Sequence, residues 1–259
     1  MEAPSDLKTT HLLLEVCAGS VESGIAAQKG GARRIELCDN LGEGGTTPSL
    51  GTILVARKLL EIQIYPIIRP RGGDFLYDDA EFEVMKEDIR FCLQAGCEGI
   101  ATGILLADGT VDQKRLSVLV EAAWPMGVTF HRAFDRVADP FRAMEEIIAC
   151  GCERILTSGL APTAPEGAGM IASLVRAAAG RISIMPGAGI REDNIASLVR
   201  NTGAWEFHTS ARTTRPGGMT FRNPSVTRGA AGNEYDLPET DEGLVSRILR
   251  IALEAMKTG

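Results

Sequence analysis

The chain has 259 residues, a formal charge of −7, 44% apolar residues and only 5% aromatic ones. That acidity argues against a nucleic-acid surface, which wants a basic face. No stretch approaches the roughly 18 apolar residues that a bilayer-spanning helix needs, so no membrane partner is expected. The N-terminus, Met-Glu-Ala-Pro-Ser-Asp-Leu-Lys, has neither the apolar core nor the basic flank of a secretory signal. Six cysteines without framework spacing read as reduced thiols. Together these predict a protein of the cytosol or nucleus.

Beyond a lead at residues 1–10, expected to be flexible, short β-branched runs alternate with longer helical patterns. Strands are predicted at 12–17, 34–38, 64–69, 98–102, 127–131, 154–158, 181–185 and 205–208, each followed by a helix. In the third helix, Phe82, Met85, Ile89 and Cys92 recur at spacings of three and four. Thr47-Pro48 and Asp139-Pro140 each place a capping side chain before a proline suited to the first helical turn. Gly31, Gly96, Gly151 and Gly203 open related pentapeptides that lead into every second strand, as a duplicated barrel would leave behind. The prediction is a single (β/α)₈ TIM barrel over 1–259. Residues 209–237 form one long connection at its C-terminal face: a lid, a partly ordered segment or an interface element.

Strand side chains alternate faces, so Glu15 shares a face with Cys17, and Glu36 with Cys38. On parallel neighbouring strands both thiols would lie at one sheet edge, each with a carboxylate one layer below. Two thiolates suit Cu(I), a soft ion, but cysteine is also a small buried hydrophobe, so the pair alone leaves both readings open. Cys92 falls on a helix core face, while Cys97 and Cys152 fall in turns at the opposite end of the barrel.

The same parity brings Arg69, Thr102, His131, Ser158, Glu206 and His208 to the mouth, with Arg71, Arg132 and Asp135 just beyond strand ends. His131 and His208 could act as acid or base near neutral pH, with Glu15, Glu36 and Asp135 orienting them or titrating themselves. Arg69, Arg71 and Arg132, with Ser158, could hold a small anion, or the arginines could simply pair with those carboxylates. The six lysines fall in helices or near the termini, which argues against Schiff-base chemistry. No dinucleotide fingerprint, Walker loop or nucleophile elbow is present.

The runs Glu15-Val-Cys17, Glu36-Leu-Cys38, Glu43-Gly-Gly-Thr-Thr-Pro-Ser-Leu-Gly51, Ile68-Arg-Pro-Arg-Gly-Gly-Asp-Phe75, Thr129-Phe-His-Arg-Ala-Phe-Asp135, Leu156-Thr-Ser-Gly159 and Glu206-Phe-His208 resemble the CutC copper-homeostasis family, in wording closest to its animal members. The resemblance runs from about Leu12 to Asn223. It implies a TIM barrel, homo-oligomeric assembly as a dimer or tetramer, a cytoplasmic or nuclear location, and Cu(I) binding by the cysteines matching Cys17 and Cys38. An enzyme that binds a small phosphorylated or carboxylated substrate through the arginines and transfers protons with His131 is the alternative. It would use the His131-Arg-Ala-Phe-Asp135 run and His208, which two copper ligands leave unused.

Overall fold

The computed structural model describes residues 12–223 and 235–258; the predicted lead at 1–10 lies outside them. Eight parallel strands alternate with eight helices in chain order: β1 (Leu13–Ala18), α1 (Val21–Lys29), β2 (Arg34–Leu37), α2 (Leu50–Leu59), β3 (Gln63–Pro66), α3 (Asp79–Ala95), β4 (Gly99–Thr102), α4 (Gln113–Ala123), β5 (Gly127–Phe130), α5 (Pro140–Ala149), β6 (Arg154–Thr157), α6 (Ala168–Ala178), β7 (Ser183–Pro186), α7 (Ile195–Thr202), β8 (Glu206–Thr209) and, after a ribbon described below, α8 (Glu242–Lys257). Hydrogen-bonded ladders join β3-β2-β1-β8 and β4-β5-β6-β7. A parallel bridge from Ile67 to Ala101 links the halves at β3 and β4. On the other side, a Cβ on Gly187, just past β7, would lie 3.2 Å from the Cβ of His208 on β8. This is the strand order of a TIM barrel.

Helix ends follow local chemistry. Asp78 and Glu81 form a reciprocal capping box at the start of α3, and Asp139 caps α5 ahead of Pro140. The cap of α2 is Ser49, whose hydroxyl accepts from the Thr52 amide, rather than the predicted Thr47. Thr47 Oγ1 is instead taken by the Arg69 amide at 3.0 Å. The four repeat glycines all have positive φ, between 72° and 95°, where any side chain would be strained. Met85, Ile89 and Cys92 on α3 are fully buried in the shell between helices and strands.

The predicted long connection is only partly a loop. Arg212–Pro216 (β9) and Asp236–Thr240 (β10) pair antiparallel as a two-stranded ribbon, with Arg212 opposite Thr240. Residues 224–234 lie outside the described residues. The Thr240 amide donates to Ser23 Oγ at 3.2 Å, and Asp241 then caps α8. These contacts anchor the ribbon beside α1.

Candidate metal centre

Register decides which side chains meet inside the barrel. Glu15 lies opposite Arg34 on one flank and His208 on the other, and Cys17 lies opposite Glu36. All four neighbours of this patch, Glu15, Arg34, Glu36 and His208, are buried or nearly so.

The lower layer is an ion cluster. Arg34 donates through Nε to Glu15 and through Nη2 to Glu206, and Arg154 donates through Nε to the same Glu206. Arg154 also reaches Thr129 Oγ1 at 3.0 Å and Glu153 at 2.7 Å. Both guanidiniums stack over Tyr65, at 5.1 and 5.6 Å from its ring centre. Two arginines and two glutamates balance there, as burial of charge requires. Arg34 and Arg154 were not among the sequence candidates, although they share strand parity with Cys38 and Ser158.

The upper layer sits on this base. His208 Nδ1 donates to Glu15 at 2.7 Å, and its Nε2 lies 3.9 Å from Glu36. Burial disfavours the charged ring, yet contacts with Cys17 and Glu15 and the charge of Glu36 raise its pKa well above the ordinary histidine value. His208 is therefore an imidazolium near neutral pH. Burial alone would raise the Glu15 carboxyl, but Arg34 and His208 hold it far below the usual range. Glu36 is pushed up by burial, which outweighs the opposing charges of His208 and Arg34.

Above Glu36 the two predicted thiols meet. Cys17 Sγ lies 3.3 Å from Cys38 Sγ, and Cys38 Sγ is 3.7 Å from the Ala18 carbonyl. The Cys17 and Cys38 sulfurs and a Glu36 oxygen all fall within 4.8 Å of one another, the only such group of metal-ligand residues among the described residues. The hydrogen bond with Cys38 and burial raise the Cys17 thiol well above its ordinary pKa. Cys17 also lines a cavity of about 130 Å³ that opens at the mouth, so the pair is reachable.

The remaining candidates divide. His131 caps the short 3₁₀ turn Arg132–Arg136, its Nδ1 accepting from the Ala133 amide at 3.2 Å. Burial, then the nearby Arg69 charge, lower its pKa to about 3, so the ring stays neutral. Asp135 accepts from Thr157 Oγ1 at 2.6 Å, from the Ser158 amide and hydroxyl, and from Arg132 Nε at 2.7 Å. It ties the turn after β5 to the loop after β6. Arg132 also reaches Ser158 Oγ at 3.1 Å. Arg69 stays at the mouth. Arg71 does not join it: it binds Glu81 at 2.5 Å and Asp74 at 3.0 Å on the rim.

A neutral buried histidine makes a pH prediction. The unfolded chain takes up a proton near pH 6.5, whereas folded His131 resists until about pH 3. Stability is therefore expected to fall as pH drops through that window, with an upper bound of several kcal/mol from this residue. His131→Asn, whose amide oxygen can still cap Ala133, should flatten the profile between pH 6.5 and 4 in urea titrations. An unchanged slope would refute a neutral His131.

Comparison with known proteins identifies the family. The chain matches the CutC family over residues 12–213. A CutC family protein of Chromobacterium violaceum is 52% identical over 243 residues, covering 93% of this chain and 98% of that one. A human protein named copper homeostasis protein cutC homolog is 49% identical over 242 residues, covering 93% and 89%. A solved CutC structure from Streptococcus agalactiae superposes with a TM-score of 0.74 at 34% identity, covering 77% of this chain and 98% of that one. Bacterial and animal relatives thus match along nearly the whole chain. With the barrel and its predicted motifs in place, the chain belongs to the CutC family.

Proposed function

We propose that the protein binds Cu(I) through the thiolates of Cys17 and Cys38 and takes part in copper homeostasis. The observation that carries this reading is the sulfur pair at 3.3 Å, brought together by the parallel pairing of β1 and β2 with Cys17 at the wall of an open cavity. The names of the human and mouse relatives supply the metal. The donor set supplies the chemistry: soft thiolates select Cu(I) over the harder ions that oxygen ligands prefer.

The residues fit such cargo. Two sulfurs bound to one ion at about 2.3 Å each sit roughly 3.7 Å apart at a tetrahedral angle, and wider at a more open one. The pair must therefore part by a few tenths of an ångström or more, and Cys17, only half-buried, has room to do so. Binding releases the thiol protons. Hydrogen bonding with His208 favours the Cys17 thiolate against the Glu36 charge, which opposes it. The ion's own positive charge would then offset Glu36 in its place.

X-ray absorption on anaerobic protein loaded with one equivalent of Cu(I) tests the ligand set. Two sulfur scatterers are expected; a shell of nitrogen and oxygen alone would reject it.

The cytosolic or nuclear location and homo-oligomeric assembly belong to the same proposal. Six free cysteines fit a reducing compartment. Leu50, Leu54, Val55 and Leu59 leave an exposed apolar face on α2 that a second copy could cover.

A further inference from the structure

Arg69 lies just past β3 at the barrel mouth and is only 5% exposed. Its guanidinium donates to the main-chain carbonyls of Glu43 and Gly45 at 2.8 Å and of Gly73 at 2.9 Å. Its Nε makes no close hydrogen bond, although the Tyr77 hydroxyl stands by its guanidinium, and among the described residues it forms no ion pair. The other two deeply buried arginines, Arg34 and Arg154, both have carboxylate partners. A buried charge normally has a counter-charge, because neutral dipoles restore only part of its lost hydration. Arg69 therefore leaves positive charge uncompensated at the mouth.

A second unpaired group stands next to it. Phe75 is stacked between Arg69, 5.0 Å from the ring centre, and His131, whose ring centre is 5.1 Å away. Because His131 Nδ1 accepts from the Ala133 amide, the ring proton belongs on Nε2. That Nε2 is buried without any partner. A Cβ on Gly103 would come within 2.6 Å of His131 Cε1 and Nδ1, so Gly103 covers that edge of the ring. His131 lines the cavity, but Nε2 itself has no accessible surface, so an anion reaches it through a small shift of the ring or of Phe75.

Arg69, Phe75 and His131 line the same cavity of about 130 Å³, with Arg132 and Arg212 also on its wall. At roughly 30 Å³ per water, it holds about four, or an organic ion of a few heavy atoms. Among the described residues the one acid on its wall is Glu36, which stands beside His208. We propose that this cavity binds a small oxyanion, a carboxylate or a phosphate, whose charge answers Arg69 while one oxygen accepts from His131 Nε2, with Arg132, already paired to Asp135, at its rim. The site explains three features that two copper ligands leave idle: the unpaired arginine, the orphan imidazole nitrogen and the open space between them. It does not rest on the copper reading, since none of its donors is a thiol.

Calorimetric titration of the full-length, copper-free protein with pyruvate and, separately, inorganic phosphate tests this. Saturable one-to-one binding of at least one probe is expected, and which one binds tells a carboxylate from a phosphate source. His131→Asn keeps an acceptor for the Ala133 amide but places no donor where Nε2 stands, and should weaken binding about tenfold or more. Arg90→Gln, on an exposed surface pair of α3 away from the cavity, should leave it unchanged. Should His131→Asn fail to fold, Arg132→Gln on the exposed rim is expected to weaken binding instead. Absence of binding by both probes overturns the proposal, as does binding indifferent to His131→Asn and Arg132→Gln.

Discussion

Arg34→Met is expected to destabilise the protein by about 3–5 kcal/mol, the usual cost of removing one partner from a buried ion cluster. Arg34 is 1% exposed and bridges Glu15 on β1 to Glu206 on β8. Methionine fills most of the volume, so the loss is electrostatic rather than a cavity effect. Glu15 would keep His208, and Glu206 would keep Arg154, but two carboxylates would then share one arginine inside the barrel. For a chain of this size the melting temperature should fall by roughly 10 °C. A single variant within about 1 kcal/mol of wild type in urea denaturation would mean that the cluster does not hold the strands together. The exposed pair of Arg90 and Glu87 is the natural control, since surface pairs contribute little.

The barrel was legible because its strands are short and separated by capped helices, and because the repeat glycines mark where each even strand begins. The site was legible by parity: Glu15 with Cys17, Glu36 with Cys38, and Glu206 with His208 are pairs two residues apart on one strand face. What parity could not show was depth. Arg34 and Arg154 begin their strands, where a basic residue usually marks the edge of an element, and their burial follows only from the glutamates that other strands bring. The ribbon of β9 and β10 escaped because Arg212–Pro216 is exposed along its whole length. Without an apolar alternation, neither strand announces a partner some twenty residues away. Arg71 is held at the rim by acids that parity could not reveal, Glu81 at the start of α3 and Asp74 in its own loop. His131 and His208 looked equivalent in sequence. Their surroundings set them apart: carboxylates hold one ring charged, and an arginine with burial keeps the other neutral.

The copper site carries the other large expected effect. Cys17→Ser/Cys38→Ser replaces two soft ligands by hydroxyls that Cu(I) binds poorly, and nothing else in the described mouth offers sulfur. The fold should persist: Cys17 is half-buried, and a hydroxyl at position 38 can donate to the Ala18 carbonyl that the Cys38 thiol already approaches. Substitutions in outer-shell partners of metal sites cost about 10–100-fold in affinity, so removal of both ligands should cost more than about a hundredfold. Each single variant should fall between, since one thiolate with Glu36 or His208 is a weaker donor set. The decisive measurement is Cu(I) affinity by chelator competition, anaerobic and reducing, on wild type and the double variant, with circular dichroism to show that both are folded. Tight one-to-one binding by wild type, lost in the double variant, is the predicted result. Weak binding by wild type, or equal affinity in the folded double variant, would contradict a copper role for Cys17 and Cys38.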